Sequence, residues 1–132
     1  MLTTEDKFAI HQLISLHGHL ADSGRLDEFG SVFTKDVAYD LEAFGKGILN
    51  GVDAMRDAAL ALGTANPVGH HVTNIIVSED ADGTVRAQSK GIGIRADGSC
   101  GSLVYEDMLK EQDGEWRISY RKITLRKVPL QA

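Results

Sequence analysis

The five histidines of the chain fall in two places: His11, His17 and His19 inside "HQLISLHGHLAD", and His70 and His71 inside "NPVGHHVTNIIV". An imidazole changes charge near neutral pH, so it can take a proton from carbon and later return it. The doublet opens an apolar run that reads as a buried strand. Successive strand side chains point to opposite faces, so at most one of His70 and His71 looks into the fold. Of the other three, only His17 continues the apolar stripe of Ile10 and Leu13. A lone histidine on such a face is by default a hydrogen-bonded core residue. Metal fits poorly: His17 and His19 would lie about 200° apart around a helix, and the i, i+4 pairing of helical zinc sites is absent.

Other polar residues stand in unusual places. Asp22 ends the first helical stretch in "LADSGRLD" and reads as a turn residue, capping the next helix together with Ser23. Tyr39 shares a strand face with Val37 and Leu41. Asp107 lies in the apolar row Leu103, Tyr105, Leu109; such an acid is either at a wet edge or paired, with Arg121 on the following strand as the candidate. The single cysteine, Cys100 in "ADGSCG", excludes an internal disulfide and has no neighbouring cation to make it a nucleophile. No nucleophile elbow, phosphate loop or dinucleotide fingerprint competes.

The elements that must position these residues follow from periodicity. Apolar spacing predicts a helix from Thr4 to Ala21, with a Thr3/Asp6 capping box and Gly24 as its stop. A short second helix over Leu26–Phe33 would bury Leu26, Phe29 and Phe33. "DVAYDLE" alternates as a half-buried strand, and "GKGILNG" reads as a turn. "VDAMRDAALALG" is a third helix closed by Gly63. Strands at about 70–78, 84–94, 101–111 and 116–127 are separated by the turn sequences "DADG", "ADGS" and "QDG". The order α-α-β-α-β-β-β-β predicts an α+β fold, a strongly curved and mostly antiparallel sheet packed on helices. Gly91 and Gly93, alternating in one strand, suggest a bulge or bend.

Whole-chain properties narrow the function classes. A length of 132 residues suits one domain, residues 1–132, with an ordinary 42% of hydrophobic residues. The net charge of −5 comes with no basic stripe, which argues against nucleic acid. "MLTTEDKFAI" has no apolar core of a signal peptide, and no apolar run approaches the roughly 20 residues of a membrane span. A soluble, cytoplasmic protein is expected.

"LADSGRLDEFGSVFTKDVAYD", "GHHVTNIIV" and "YEDMLKEQDGEWRISYR" occur in this order. Together with the element order they resemble the SnoaL-like branch of the nuclear transport factor 2-like superfamily, from about residue 5 to 126. The resemblance implies a cone-shaped sheet closed by about three helices around a deep apolar pocket. Relatives include scytalone dehydratase, hexachlorocyclohexane dehydrochlorinase, bile acid dehydratase, ketosteroid isomerase and polyketide cyclases. They also include the largely structural β subunits of ring-hydroxylating dioxygenases.

Carried over residue by residue, the family's catalytic aspartate matches Asp22. Its strand-opening histidine, separated by three residues from a small or amide residue, matches His70 through Asn74; His71 would be one position late. The aromatic hydroxyl that some dehydratases place five residues before the aspartate is His17 here, a departure, and His17 would replace or assist it in the pocket. A strand tyrosine of the dehydratases matches Leu41, and Tyr39 shares that face. Arg121 matches an arginine beside the dehydrochlorinase leaving group. The resemblance thus implies Asp22, His70, Tyr39 and Arg121 as catalytic candidates. His17, His71, Leu41, Asn74, Tyr105 and Asp107 are the substrate-contact candidates, with no metal and no cofactor. It implies a lyase or isomerase, of dehydratase, dehydrohalogenase or cyclase type, acting on a small apolar, cyclic ligand. The alternative is a non-catalytic ligand-binding or subunit-assembly module like the dioxygenase β subunits. A homodimer or homotrimer is expected either way, with Arg86, Gln88 and Lys90 on an outer strand face.

Overall fold

The computed structural model describes residues 1–131. Helix α1 spans Thr4–Asp22, and its capping box is formed as the spacing predicts: the Thr3 hydroxyl accepts from the Asp6 amide, and the Asp6 carboxylate accepts from the Thr3 amide. A 3-10 turn, Leu26–Ser31, replaces the expected second helix; six residues are too few for a stable α-helix, and Phe29 is its one buried anchor. Strand β1 follows at Phe33–Asp40, then a short β2 at Ile48–Asn50 inside the segment that reads as a turn. Helix α2 covers Val52–Leu62, and Gly63 closes it at φ 55°. The meander is β3 (Gly69–Glu79), β4 (Val85–Ile94), β5 (Cys100–Gln112) and β6 (Glu115–Arg126).

The six strands form one sheet in the order β2-β1-β6-β5-β4-β3. After β2 the chain crosses through α2 to the far edge and walks back hairpin by hairpin, so β6 ends beside β1. That pair alone is parallel; the others are antiparallel. The tightest hairpin, between β5 and β6, turns on Asp113 and Gly114, both at positive φ, as the Asp-Gly pair favours. The fold is the α+β class expected, with β2 as an added edge strand.

Gly91 and Gly93 produce no bulge, since β4 keeps register with β5 through both positions. The pairing of β3 with β4 shifts instead between Thr73 and Ile76. The reason for Gly91 is close packing: a Cβ there would collide with the Tyr105 ring, which leans across β4.

The two ends of α1 do different work. Ile10, Leu13 and Ile14 in its first half pack with Val32, Phe33, Val37, Val85, Leu109 and Ile118 in a sealed core. Each such aliphatic side chain contributes roughly 1.5–3 kcal/mol by leaving water. The second half, from His17 to Asp22, borders a cavity. No helix among the described residues is long and apolar enough to cross a membrane.

Candidate active site

The cavity, of about 840 Å³, lies between the end of α1, the segment around α2 and the inner face of the sheet. Its walls are mostly apolar, with Leu26, Phe29, Leu49, Met55 and Ile123 among them. Two histidines, His17 and His70, line it, and each is tied to a different charged partner.

His70 stands at the start of β3, and its ring Nδ1 is 2.6 Å from Asp22 Oδ1. The other oxygen of the same carboxylate accepts the backbone N–H of His70 at 3.0 Å. Both contacts depend on how closely α1 rides on β3. Gly18 lies one helical turn before Asp22 and faces the strand; an added Cβ would stand 2.6 Å from the His70 carbonyl oxygen. A glycine inside a helix costs about 1 kcal/mol against alanine, so its presence mid-helix calls for a close neighbour. A carboxylate can only accept, so Nδ1 carries the proton and Nε2 keeps a lone pair. The two side chains are 21% and 28% exposed, open enough for a ligand to reach.

His17 is arranged the other way round. Its Nδ1 lies 2.9 Å from Nη1 of Arg121. Arg121 also makes a bidentate pair with Asp107, Nε to Oδ1 at 2.7 Å and Nη2 to Oδ2 at 2.8 Å. Asp107 and Arg121 are direct register partners on β5 and β6, and Tyr39 is the register partner of Arg121 on β1, so the three form a row across the sheet. The guanidinium stacks over the Tyr105 ring with its carbon 4.5 Å from the centroid. Both members of the ion pair have 0% exposed side chains. Burial alone would weaken the Arg121 cation, but the charge and hydrogen bonds of Asp107 outweigh it, and the pKa is raised. Burial first, then Arg121 and then His70 hold His17 well below the usual imidazole range. The His17 ring is edge-packed against Phe29, Phe33 and Tyr39.

The remaining sequence candidates divide by exposure to the cavity. Tyr39, Leu41 and Tyr105 line it. Burial pushes both phenols above their usual range. Leu41 is there although β1 has ended at Asp40; it opens a 3-10 turn rather than continuing the strand face of Tyr39. Arg121 and Asp107 are not in the wall. Their ion pair is packed behind it, so neither presents a charged group directly to a ligand.

His71 and Asn74 do not line the cavity either, which corrects their reading as substrate contacts. His71 points to the opposite face from His70 by strand alternation, and its ring folds back over Gly69. Asn74 sits in the β3 irregularity at φ 56°, exposed, with its side-chain oxygen accepting from Thr73. Gly18 and the exposed wall residue Lys46 are not among the sequence candidates. For Gly18 a signal exists, a glycine inside a strong helical pattern; for Lys46 there is none.

Among the described residues no three His, Cys, Asp or Glu side chains come together as a metal site. A search of curated protein sequences finds no match. Among solved structures, the chain resembles a cystatin-like fold protein of unknown function from Nostoc punctiforme, at 21% identity and TM-score 0.79, covering 98% of both chains. It resembles Aln2 from a Streptomyces species at 22% identity and TM-score 0.76, covering 95% of this chain and 94% of that one. Hexachlorocyclohexane dehydrochlorinase LinA, type 2, aligns at 19% identity and TM-score 0.76, over 93% of this chain and 86% of that one. These likenesses establish the fold. The model of the SnoaL-like domain matches residues 3–122, nearly the whole chain, and the protein belongs to the SnoaL-like domain family.

Proposed function

We propose that this protein is a lyase or isomerase that acts by proton abstraction on a small apolar, cyclic substrate, with His70 as base and Asp22 as its orienting partner. The observation that carries the reading is the double contact from Asp22, to the ring Nδ1 and to the backbone N–H of His70. It leaves Nε2 as the free lone pair of a histidine that borders an apolar cavity. As the ring takes up a proton, the carboxylate stabilises the imidazolium, which is the logic of histidine–aspartate pairs generally. The apolar wall keeps water from competing and strengthens that ion pair.

The chemistry downstream of the base depends on the substrate. Breaking a C–H bond leaves an electron pair on carbon. With a leaving group on the adjacent carbon, the pair forms a C=C bond and the leaving group departs. With an adjacent carbonyl it forms an enolate, which is reprotonated at a second carbon. Neither course removes electrons from the substrate, so the reaction needs no redox cofactor. The likeness to a dehydrochlorinase supports the elimination course as one member of this class.

The test is hydrogen exchange from solvent. A panel of cyclic ketones and alcohols is incubated in heavy water with catalytic amounts of protein, and deuterium at carbon is read by mass spectrometry. Exchange above background that His70→Ala lowers about 10²- to 10⁴-fold supports the reading. Absence of exchange across the panel, or equal exchange by His70→Ala, would leave a ligand-binding module instead.

A further inference from the structure

The apolar lining of the cavity does not stop at its mouth. Phe44, Leu60, Leu62 and Val68 line the cavity and are also among the large apolar side chains exposed to water. Leu60 and Val68 are 64% and 58% exposed. A ligand inside the cavity would cover its walls, not the outward sides of these residues. Exposed apolar groups scattered singly need no explanation, but a collar of them around one opening does. The stretch from Ala58 to Gly69 supplies three of the four and carries no charged side chain; Leu60 to Ala65 and Val68 are exposed along it.

The backbone of that stretch is also prepared to leave water. The last carbonyls of a helix have no partner within it and commonly turn to solvent. Here the Asn66 side-chain amide donates to the carbonyls of Ala59 and Gly63, both at 2.8 Å, and the Asn66 backbone N–H donates to the Gly63 carbonyl as well. The Val68 N–H donates to the Ile94 carbonyl, which ties the collar to the end of β4.

Charge around the mouth has a sign. Lys46 lines the cavity, and Arg95 precedes the lining residue Ala96. Arg126 and Lys127 follow Leu125, the register partner of the lining residue Leu103. Against these four cations stand two acids, Glu42 and Asp97, on a chain whose net charge is −5. From this arrangement we infer that the collar docks on an anionic lipid surface, with the end of α2 in the headgroup layer and the cavity mouth turned towards the acyl chains. Apolar side chains flanked by lysine and arginine are the composition of surfaces that lie on a bilayer rather than cross it. A second copy of the chain fits less well, because two-fold pairing sets the collar against itself, surplus positive charge included. An acidic protein would match the charge but cap the opening, whereas a bilayer leaves an apolar path into it. Docking is independent of the reaction at His70; it requires only that the ligand of the cavity partitions into lipid.

The test uses vesicles of phosphatidylcholine alone and of phosphatidylcholine mixed with phosphatidylglycerol. The protein should sediment with the mixed vesicles, and more weakly with the neutral ones by at least about fivefold, the worth of one cation at such a surface. Leu60→Asp should weaken binding by at least about tenfold, through loss of one apolar anchor. Ile76→Asp makes the same change of charge at another exposed apolar site, the register partner of Gln88, and should leave binding unchanged. One readout needs no substitution. Cys100 is the sole cysteine, is exposed and pairs in register with Ile94, so a polarity-sensitive dye on its sulfur sits beside the collar. Its emission should shift to the blue with mixed vesicles. No binding to mixed vesicles, an unshifted dye on bound protein, or equal losses from Leu60→Asp and Ile76→Asp overturns the inference. An oligomer that Leu60→Asp splits, without vesicle binding, overturns it in favour of a second copy.

Discussion

Two imidazoles face one cavity, and the contrast between them lies in the sign of the group behind each ring. Behind His70 is a carboxylate, an acceptor that places the ring proton on Nδ1 and leaves Nε2 a base. Behind His17 is a guanidinium, a donor that occupies Nδ1 and leaves Nε2 protonated. The same side chain is set to opposite tasks by its partner. The two partnerships also differ in burial. Asp22 and His70 are partly open, whereas Arg121 and Asp107 are wholly enclosed. The open pair is therefore expected to govern reactivity, and the enclosed one to govern both ring tautomer and stability.

The largest expected effect comes from making the two histidines alike. Asp22→Asn offers one acceptor oxygen to two donors, the His70 ring and the His70 backbone N–H. Either the ring tautomer reverses or an amide N–H faces the backbone donor. Deuterium exchange should fall about 10²- to 10⁴-fold, the range for losing a positioned base, while the thermal midpoint changes little. Exchange within a factor of three of wild type would break the comparison.

Removing the acid behind the other histidine should act on the fold instead. Asp107→Ala leaves the Arg121 guanidinium buried and unpaired, and urea unfolding should register a loss of about 3–5 kcal/mol. A loss below about 1 kcal/mol would mean that the pair behaves like a surface ion pair, against its burial.

Gly18→Ala tests the spacing that both partnerships share, since both hang from one helix. The new Cβ meets a backbone carbonyl, which cannot swing away as a side chain could. We expect about 1–3 kcal/mol of destabilisation. Exchange should fall by more than the unfolded fraction explains, because the helix must lift Asp22 from His70.

The smallest effect is a pH dependence. His17 has a folded-state pKa well below 6.5, so as pH falls beneath that value the unfolded chain takes up a proton that the folded chain refuses. Stability is thus present above pH 6.5 and lost on acidification below it, by at most about 1.4 kcal/mol per pH unit. Denaturation series from pH 7 to about 4.5, above the range of ordinary carboxylates, should show this slope in wild type. His17→Gln should lack it, and an identical slope in that variant would show that another group is responsible.

Much of this arrangement is readable along the chain. The capping box and the apolar stripe place α1, the Asp-Gly turn places the last hairpin, and alternation separates His70 from His71. Alternation fails where the strand ends. Leu41 reaches the cavity from a 3-10 turn, and Asn74 leaves the inner face at an irregularity that nothing in "HHVTNII" announces. The second strand hides in "GKGILNG" because three residues are too few for a period, and it is held by pairing with β1. Gly18 is legible as an anomaly, though its purpose emerges only when the His70 carbonyl is seen against it.

Local patterning along the chain could therefore set helix and strand faces, while the candidacy of Asp22 and His70 came from the family resemblance. It could not say which nitrogen of either ring is free. That choice depends on a partner's charge, and the partners arrive from 48 residues away for His70 and 104 for His17. Periodicity is a property of neighbours along the chain, whereas a tautomer is decided by whichever group folding sets against the ring.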